Sequence, residues 1–306
     1  MSALQDLVRA ELDAPVDPRV IAFARHVAGL FGDAARAVLF YGSCLRTTEL
    51  EGQMLDFYVI VSDYRAAYDR RWLAVANRLL PPNVFPVQHG GLQAKYAVLS
   101  ESDFARLASF RTRNVSVWAR FAQPSRLAWS SDGDAAERVV DAISSATPAL
   151  LEAAIPMIEN EVNALDLWRR AFALTYSAEL RAERQGRAAS VVDFDPDRYR
   201  RFTRPALDAL GIDVVVDGDS PLRLETAGKR RSARWDWARR RIEGKLLTLA
   251  RLAKASATYA GGVDYLAWKI NRHAGTQITV RPWQRRWPLL GALVLLPRLL
   301  VRGAVR

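Results

Sequence analysis

The spacing of apolar residues along the first 130 positions predicts several helices. Residues 18–32 predict an amphipathic helix whose apolar face carries Val20, Phe23, Val27 and Phe31. Residues 65–80 predict a second helix, which Pro81-Pro82 would end because proline cannot continue a helix. The run Ser100-Glu-Ser-Asp-Phe104 has a capping pattern and predicts the start of a third helix.

Between these helices lie short apolar runs that are rich in β-branched and aromatic residues, a composition typical of strands. The predicted strands are Ala37–Tyr41, Met54–Val61 and Ala94–Leu99. Strands that alternate with helices indicate one α/β domain over residues 1–130.

The pattern changes after Ser130-Ser-Asp-Gly-Asp134, a cluster of loop-forming residues that we take as the domain boundary. Residues 135–185 predict two helices. Further basic helix-and-loop stretches follow at residues 220–234 and 262–272. We therefore predict a mainly helical second domain over residues 131–272 and a basic, amphipathic tail over residues 273–306.

The net charge of the chain limits the classes of molecule that we expect it to bind. The chain carries a formal charge of +11 at pH 7, which favours nucleotide, nucleic acid or acidic lipid as partners. Only five of the 44 basic residues are lysine, and arginine binds phosphate bidentately, although codon usage alone would give the same excess. The lone Cys44 excludes an internal disulfide, and the three histidines lack the spacing of a metal site.

One motif carries specific chemistry. A strand that ends in Gly42-Ser43, then a loop, then a strand that bears Asp56, is typical of the polymerase-β-type nucleotidyltransferases. Glycine lets the backbone approach a triphosphate, serine donates hydrogen bonds to the phosphates, and aspartate binds Mg²⁺. The second acid usual in this motif is replaced by Tyr58. The alternative interpretation is a turn glycine and a strand-edge aspartate without catalytic function.

Four segments, in order, resemble the mitochondrial translocator-assembly-and-maintenance type of CDP-diacylglycerol synthase (phosphatidate cytidylyltransferase) and its bacterial relatives. They are Phe40–Ser43 with Leu55–Phe57, Ala94–Ser100, Ala119–Pro124 and Ala173–Arg181, with a weaker similarity at Ala260–Val263. The sequence departs from this family at Cys44, where the family has glycine, and at Gln123, where it has lysine.

The resemblance implies a Mg²⁺-dependent nucleotidyltransferase domain followed by a winged-helix-like domain, with CTP and phosphatidic acid as substrates. It implies catalytic functions for Asp56 and Lys95, with Asp56 as the metal ligand. It implies nucleotide binding by Gly42, Ser43, Lys95, Arg120, Tyr176 and Arg181. A phosphomonoester is mostly a dianion at neutral pH, because its second pKa is about 6, so such an acceptor needs no general base.

Each of these residues also has a structural interpretation. Lys95 fits an edge-strand lysine that reaches water, Arg120 a salt bridge on a helix surface, and Tyr176 a core position. Asp63, just beyond the second strand, is interpreted as a turn cap rather than a further metal ligand.

The C-terminal tail predicts a membrane-surface contact. Its longest apolar run, Leu289–Leu296, is too short to span a bilayer, which needs about 20 residues. Tryptophans at the headgroup level and arginines facing acidic lipid would attach it, namely Trp283, Arg285, Arg286 and Trp287. The alternative is a terminal helix packed on the protein or on a dimer partner.

The N-terminus resembles neither a secretory signal nor a transit peptide, so we expect a cytoplasmic protein, peripheral on the inner face of the cell membrane. The main alternative function is nucleic-acid binding, since Lys229–Arg241 combines basic and aromatic residues. A nucleotidyltransferase for a soluble small molecule is a third possibility, which leaves the tail without a function.

Overall fold

A computed structural model of the chain describes residues 2–47, 49–179, 187–214, 220–224, 230–258 and 281–282. Within these residues the fold is mixed α/β, with one five-stranded mixed sheet surrounded by helices. Arg181 and the four tail residues Trp283, Arg285, Arg286 and Trp287 lie outside the described residues.

The central sheet has the strand order β3-β4-β2-β1-β5. Its strands are β1 (Ala35–Tyr41), β2 (Met54–Val61), β3 (Asn83–His89), β4 (Leu92–Ser100) and β5 (Ser125–Ser130). Strands β2 and β4 are parallel and the other neighbours are antiparallel. A separate pair of two-residue strands, β6 (Glu161–Val162) and β7 (Leu222–Arg223), lies in the helical half.

The described helices, in chain order, are α1 (Ala3–Leu12), α2 (Pro18–Gly29), α3 (Ser43–Thr47), α4 (Tyr64–Ala67), α5 (Arg71–Leu79), α6 (Glu101–Leu107), α7 (Trp118–Phe121), α8 (Gly133–Ser144), α9 (Ala146–Ala154), α10 (Ala164–Ala178), α11 (Arg187–Phe194), α12 (Pro196–Asp208) and α13 (Arg230–Thr258). None of them is both long enough and apolar enough to cross a bilayer.

Local signals confirm the predicted starts of these elements. The helix predicted over 18–32 forms as α2, where the Asp17 side chain accepts a hydrogen bond from the backbone N–H of Arg19 and Pro18 fits the first turn. Ser100 caps α6 by accepting a hydrogen bond from the backbone N–H of Asp103. Asp63 caps α4, as predicted. The three predicted strands form as β1, β2 and β4.

Two predicted helical regions are wrong in detail. The helix predicted over 65–80 is two helices, α4 and α5, because the chain turns extended at Tyr68, whose ring packs against Phe31 and Phe85. Residues 135–185 hold three described helices rather than two: Ser145 separates α8 from α9, and Asn163 caps α10. The apolar pattern of the sequence also fails to predict strands β3 and β5.

The sheet separates two apolar clusters. On one face α2 packs against the sheet, with Phe23 stacked on Phe57 at 5.4 Å between ring centroids. On the other face α1, α7 to α10 and α12 bury a larger cluster around Trp118, Trp168 and Phe172. This larger cluster contains residues from both sides of position 130. The domain bounds 1–130, 131–272 and 273–306 remain a prediction.

A buried ion pair connects three helices beneath the sheet. The Arg198 guanidinium on α12 bonds to the Glu11 carboxylate on α1, with Nη2 at 3.0 Å from Oε1, and also donates to the Ala122 carbonyl at 3.0 Å. Its other face lies over the Phe202 ring, 4.2 Å from the centroid. Each of the three nitrogens of this buried cation therefore has a partner, and a charge in a core is tolerated when it is paired and hydrogen-bonded.

Helix α13 extends over the helical half and reaches the sheet domain. A Cβ on Gly244 would lie only 2.1 Å from the carbonyl oxygen of Ala178 at the end of α10, so glycine is what permits this close approach. Trp237, nearly two turns before Gly244, is buried and donates to the Ala153 carbonyl at 2.8 Å. The sequence pattern predicts only short basic stretches here, and α13 is one helix of 29 residues.

Candidate functional site

Three adjacent strands bring Tyr41, Asp56 and Lys95 into one row across the sheet. Tyr41 on β1 is paired with Asp56 on β2, and Asp56 is paired with Lys95 on β4. Directly paired residues point to the same side of a sheet, and Tyr58, two positions after Asp56, shares that face. The predicted residues Asp56 and Lys95 are therefore neighbours in space, although they are 39 positions apart in sequence.

Lys95 and Asp56 form an ion pair, with Nζ 3.0 Å from Oδ1. The Asp56 side chain is 17 % exposed and the Lys95 side chain 36 %. Asp56 Oδ1 is buried and accepts no well-aligned hydrogen bond from the described residues. The Lys95 ammonium therefore balances the charge of the carboxylate without donating an aligned hydrogen bond to this oxygen. Because β4 lies between β3 and β2, the edge-strand interpretation of Lys95 is wrong.

Gly42 lies against the other oxygen of the same carboxylate. Its φ is +97°, and a Cβ at this position would be 2.9 Å from Asp56 Oδ2. The absence of a side chain therefore does two things: it permits the backbone turn at the end of β1 and leaves room beside Oδ2. Ser43 follows at once as the first residue of α3, so the predicted Gly-Ser turn lies directly beside the predicted metal ligand.

Arg120, on the short helix α7, contributes a second cation to the same face. Its guanidinium carbon lies 4.9 Å from the centroid of the Tyr41 ring, and its Nε is buried without a hydrogen-bond partner among the described residues. Burial lowers the pKa of Arg120, but Tyr41, Tyr58, Glu179 and Asp56 raise it by more, so it exceeds the ordinary arginine value. The alternative interpretation, a salt bridge on a helix surface, is wrong, because the guanidinium lies over the Tyr41 ring with its Nε buried.

The two tyrosines beside Asp56 are held in their neutral form. Burial is the main cause that raises the pKa of Tyr41 and of Tyr58, and the Arg120 charge only partly offsets it. Their rings are 5.3 Å apart between centroids. Tyr58 occupies the position of the usual second acid and cannot accept a proton as a carboxylate would.

Helix α13 supplies further basic side chains that the sequence pattern does not indicate. Arg251 donates to the Pro81 carbonyl at 2.9 Å and to Ser116 Oγ at 2.8 Å. Burial lowers the pKa of Arg251, which interacts electrostatically with Tyr58, Glu179 and Arg120. One turn further on, Lys254 donates to the carbonyls of Leu80 and Pro82.

The remaining predicted residues have mixed outcomes. Tyr176 lies on α10, half-buried and packed against the larger apolar cluster, which agrees with the core interpretation. Helix α10 ends at Ala178, and Arg181 lies outside the described residues. The nearby Glu179 interacts with Arg120 and Arg251 electrostatically.

A preformed metal cage is absent from the part of the chain that the structure describes: no three histidine, cysteine or acidic side chains are grouped for a metal ion. Among the described residues, Asp56 belongs to no such group. A lone carboxylate suits Mg²⁺ that completes its coordination with substrate phosphates and water, and does not suit an ion held by protein alone.

A cavity of about 310 Å³ lies elsewhere, against the first half of α13. Its walls include Phe110, Trp118, Trp237 and Arg240, whose guanidinium lies over both indole rings. The cavity lacks the pairing of carboxylate, lysine and open backbone that marks the row around Asp56, so we place the candidate chemistry at Asp56.

No model of a known protein family matches this chain, and no curated protein sequence matches it.

Proposed function

We propose that this protein is a nucleotidyltransferase that transfers the CMP group of CTP to phosphatidic acid and releases pyrophosphate. The observation that carries the proposal is the row Tyr41, Asp56, Lys95, with Gly42 against the Asp56 carboxylate and Arg120 over the Tyr41 ring. It joins one carboxylate, an open glycine backbone and two cations on one sheet face.

Two unsatisfied polar atoms support a bound anion and cation at this row. Arg120 Nε is a buried donor without a hydrogen-bond partner among the described residues, and Asp56 Oδ1 is a buried acceptor that Lys95 Nζ approaches to 3.0 Å without a well-aligned hydrogen bond. Buried polar atoms are usually paired, and exceptions call for a functional explanation. A nucleoside triphosphate with its divalent ion would satisfy both, because its phosphates accept from arginine and its metal binds carboxylate.

Each residue of the candidate site would have a separate function in binding the triphosphate. Asp56 would hold Mg²⁺, which when bound offsets the negative charge that develops on the departing pyrophosphate. Lys95 and Arg120 would contact phosphate oxygens, and the absence of a side chain on Gly42 would let the triphosphate approach the backbone.

The side chains beside Asp56 favour a phosphate acceptor over a hydroxyl acceptor. A sugar hydroxyl must lose its proton as it attacks, and burial keeps the nearby Tyr58 from serving as a base by raising its pKa. A phosphomonoester arrives already ionised. Its oxygen would attack the α-phosphorus of CTP as the bond from that phosphorus to the bridging oxygen of pyrophosphate breaks.

Phosphatidic acid is the phosphomonoester that the sequence resemblance implies, and its headgroup lies at a membrane surface. The proposal therefore includes a cytoplasmic, peripheral location on the inner face of the cell membrane. The helical half, with its short β6–β7 pair, is the part that we assign to the winged-helix-like domain.

The test is pyrophosphate release from CTP and Mg²⁺, with phosphatidic acid present or omitted, by wild type, Asp56→Asn and Asp63→Asn. We expect release that requires phosphatidic acid, loss of at least about a hundredfold in Asp56→Asn, and near-wild-type turnover in Asp63→Asn. Asp63→Asn is a matched control, because asparagine caps a helix as well as aspartate does. Full turnover in Asp56→Asn, or release that is indifferent to phosphatidic acid, would contradict the proposal.

A further inference from the structure

The outward side of α13 exposes large apolar side chains in a line. Trp235 is 70 % exposed, Ile242 62 % and Leu246 61 %. They are separated by seven and four positions, which places them within about 40° of one another around the helix axis. The opposite side of the helix carries the buried Trp237 and Gly244. The line is therefore an unpartnered apolar stripe within the described part of the chain.

Basic residues outnumber acidic ones beside this stripe. Exposed cations lie next to it and along one edge, namely Arg231, Arg234, Arg239, Arg241 and Lys245. The two acids of the same region, Asp236 and Glu243, lie along the opposite edge, roughly 80–100° from the stripe, about as far as the cations Arg234, Arg241 and Lys245 lie on their own edge. Glu243 is paired there with Arg113, 3.7 Å away. The outward side thus combines a strong positive charge with a central apolar stripe.

We propose that this α13 outer face, the stripe of Trp235, Ile242 and Leu246 with its five cations, lies flat on an anionic lipid bilayer. An interfacial helix buries its apolar residues at the boundary of headgroups and acyl chains, while arginine and lysine contact acidic headgroups. Charge argues for this occupant: a second copy would bring the same five cations, and residues 281–306 of this chain carry six arginines and no acid.

The composition of the stripe also favours lipid over nucleic acid as the partner of this face. Bases stack on aromatic rings, and here two of the three central side chains are aliphatic, Ile242 and Leu246. Aliphatic side chains gain most from transfer into hydrocarbon. The proposal fits a lipid acceptor but does not depend on the proposed transferase activity, because the tests below measure binding alone.

The first test is flotation of the full chain with vesicles of phosphatidylcholine containing a third of an anionic phospholipid. Trp235→Ala/Ile242→Ala/Leu246→Ala should weaken partitioning by about tenfold or more. The matched control Leu30→Ala/Phe110→Ala/Phe194→Ala removes three exposed apolar side chains that form no stripe and should bind as wild type does. Unchanged vesicle binding by the stripe variant would overturn the proposal, because another surface would then make the membrane contact.

The second test concerns the cations. Arg231→Gln/Arg239→Gln/Lys245→Gln should weaken partitioning by about tenfold or more at low salt, and less as salt screens the surface charge. The control Arg25→Gln/Arg65→Gln/Arg201→Gln removes the same charge from exposed positions elsewhere and should have a much smaller effect. Equal losses in both variants would reduce the effect to net charge and overturn an assigned surface.

A third measurement reports position rather than affinity. In a Cys44→Ala background, an environment-sensitive fluorophore on Ile242→Cys should shift to the blue on anionic vesicles, and the same label on Leu30→Cys should not. A shift at both positions, or at neither, contradicts the assigned face. The proposal would also be wrong if the wild type bound oligonucleotide in a gel shift but did not bind vesicles, and the stripe variant lost the gel shift. The surface would then be a nucleic-acid-binding surface.

Discussion

Replacement of Gly42 by alanine is the sharpest single test of the candidate site. The substitution acts twice: the new residue must adopt φ of +97°, and its Cβ must lie 2.9 Å from Asp56 Oδ2. The backbone term costs about 2 kcal/mol, because this φ lies beyond the usual left-handed region of L-residues. The contact term requires the carboxylate to retreat by about 0.5 Å, from 2.9 to an ordinary 3.4 Å.

The displacement of Asp56 should appear in function rather than in stability. A shift of 1 Å in a catalytic group can cost about a hundredfold, so we expect turnover to fall by about tenfold or more for half that distance. Binding of CTP with Mg²⁺ should weaken as well. Urea unfolding measures the backbone term, and pyrophosphate release with calorimetric CTP binding measures the contact term.

Gly91→Ala is the matched control. Gly91 has φ of +78°, and a Cβ there would contact nothing within 4 Å. It should lose about 1–2 kcal/mol of stability and keep wild-type CTP binding. Equal effects of the two substitutions on CTP binding would refute the reasoning, since they would show that the approach of Gly42 to Asp56 has no functional consequence.

Three further outcomes follow from the structure. Lys95→Ala should reduce CTP binding strongly while Lys95→Arg restores only part of it, because a guanidinium is longer and planar; unchanged kinetics in both would limit Lys95 to its ion pair. Arg198→Met should lower the free energy of unfolding by about 3–5 kcal/mol, and the added Glu11→Gln should recover part of this loss in urea titrations, because it removes an unpaired buried charge. Burial and Arg251 lower the pKa of Lys254 from 10.5 to about 7. Between those values the unfolded chain binds a proton that the folded chain does not, so stability should rise as pH rises from about 7 to about 10. Lys254→Met should flatten that rise.

The sequence predicts best the elements whose signals are local. Strands β1 and β2 follow from short, mainly apolar runs that contain β-branched and aromatic residues. Ser100 predicts the start of α6, because its side chain can cap the backbone N–H three residues later. The Gly42–Asp56 contact was predictable because the motif spans only two neighbouring strands. The order of the sheet was not, because β3 contains Pro86 and alternates irregularly in burial.

The rest of the site depends on tertiary contacts that no local pattern encodes. Arg120 belongs to a four-residue helix, and its place over Tyr41 results from the packing of α7 under the sheet. Arg251 is more than 130 residues away in sequence from Ser116, to which it donates. From the sequence alone, a basic residue on a long helix is interpreted as solvent-exposed, because the surface that it contacts in the fold is not known.

The tight contact at Gly244 has a consequence for engineering this protein. Glycine within a helix ordinarily invites replacement by alanine, which gains about 0.5–1 kcal/mol and is a standard step in stabilisation by design. Here the added methyl group would overlap the Ala178 carbonyl, so α13 would have to move away from α10. Two turns further along, that movement would carry Arg251 away from the Pro81 carbonyl. A redesign guided by helix propensity alone would therefore weaken the contact between α13 and the sheet-bearing half, although the substitution was chosen to increase stability.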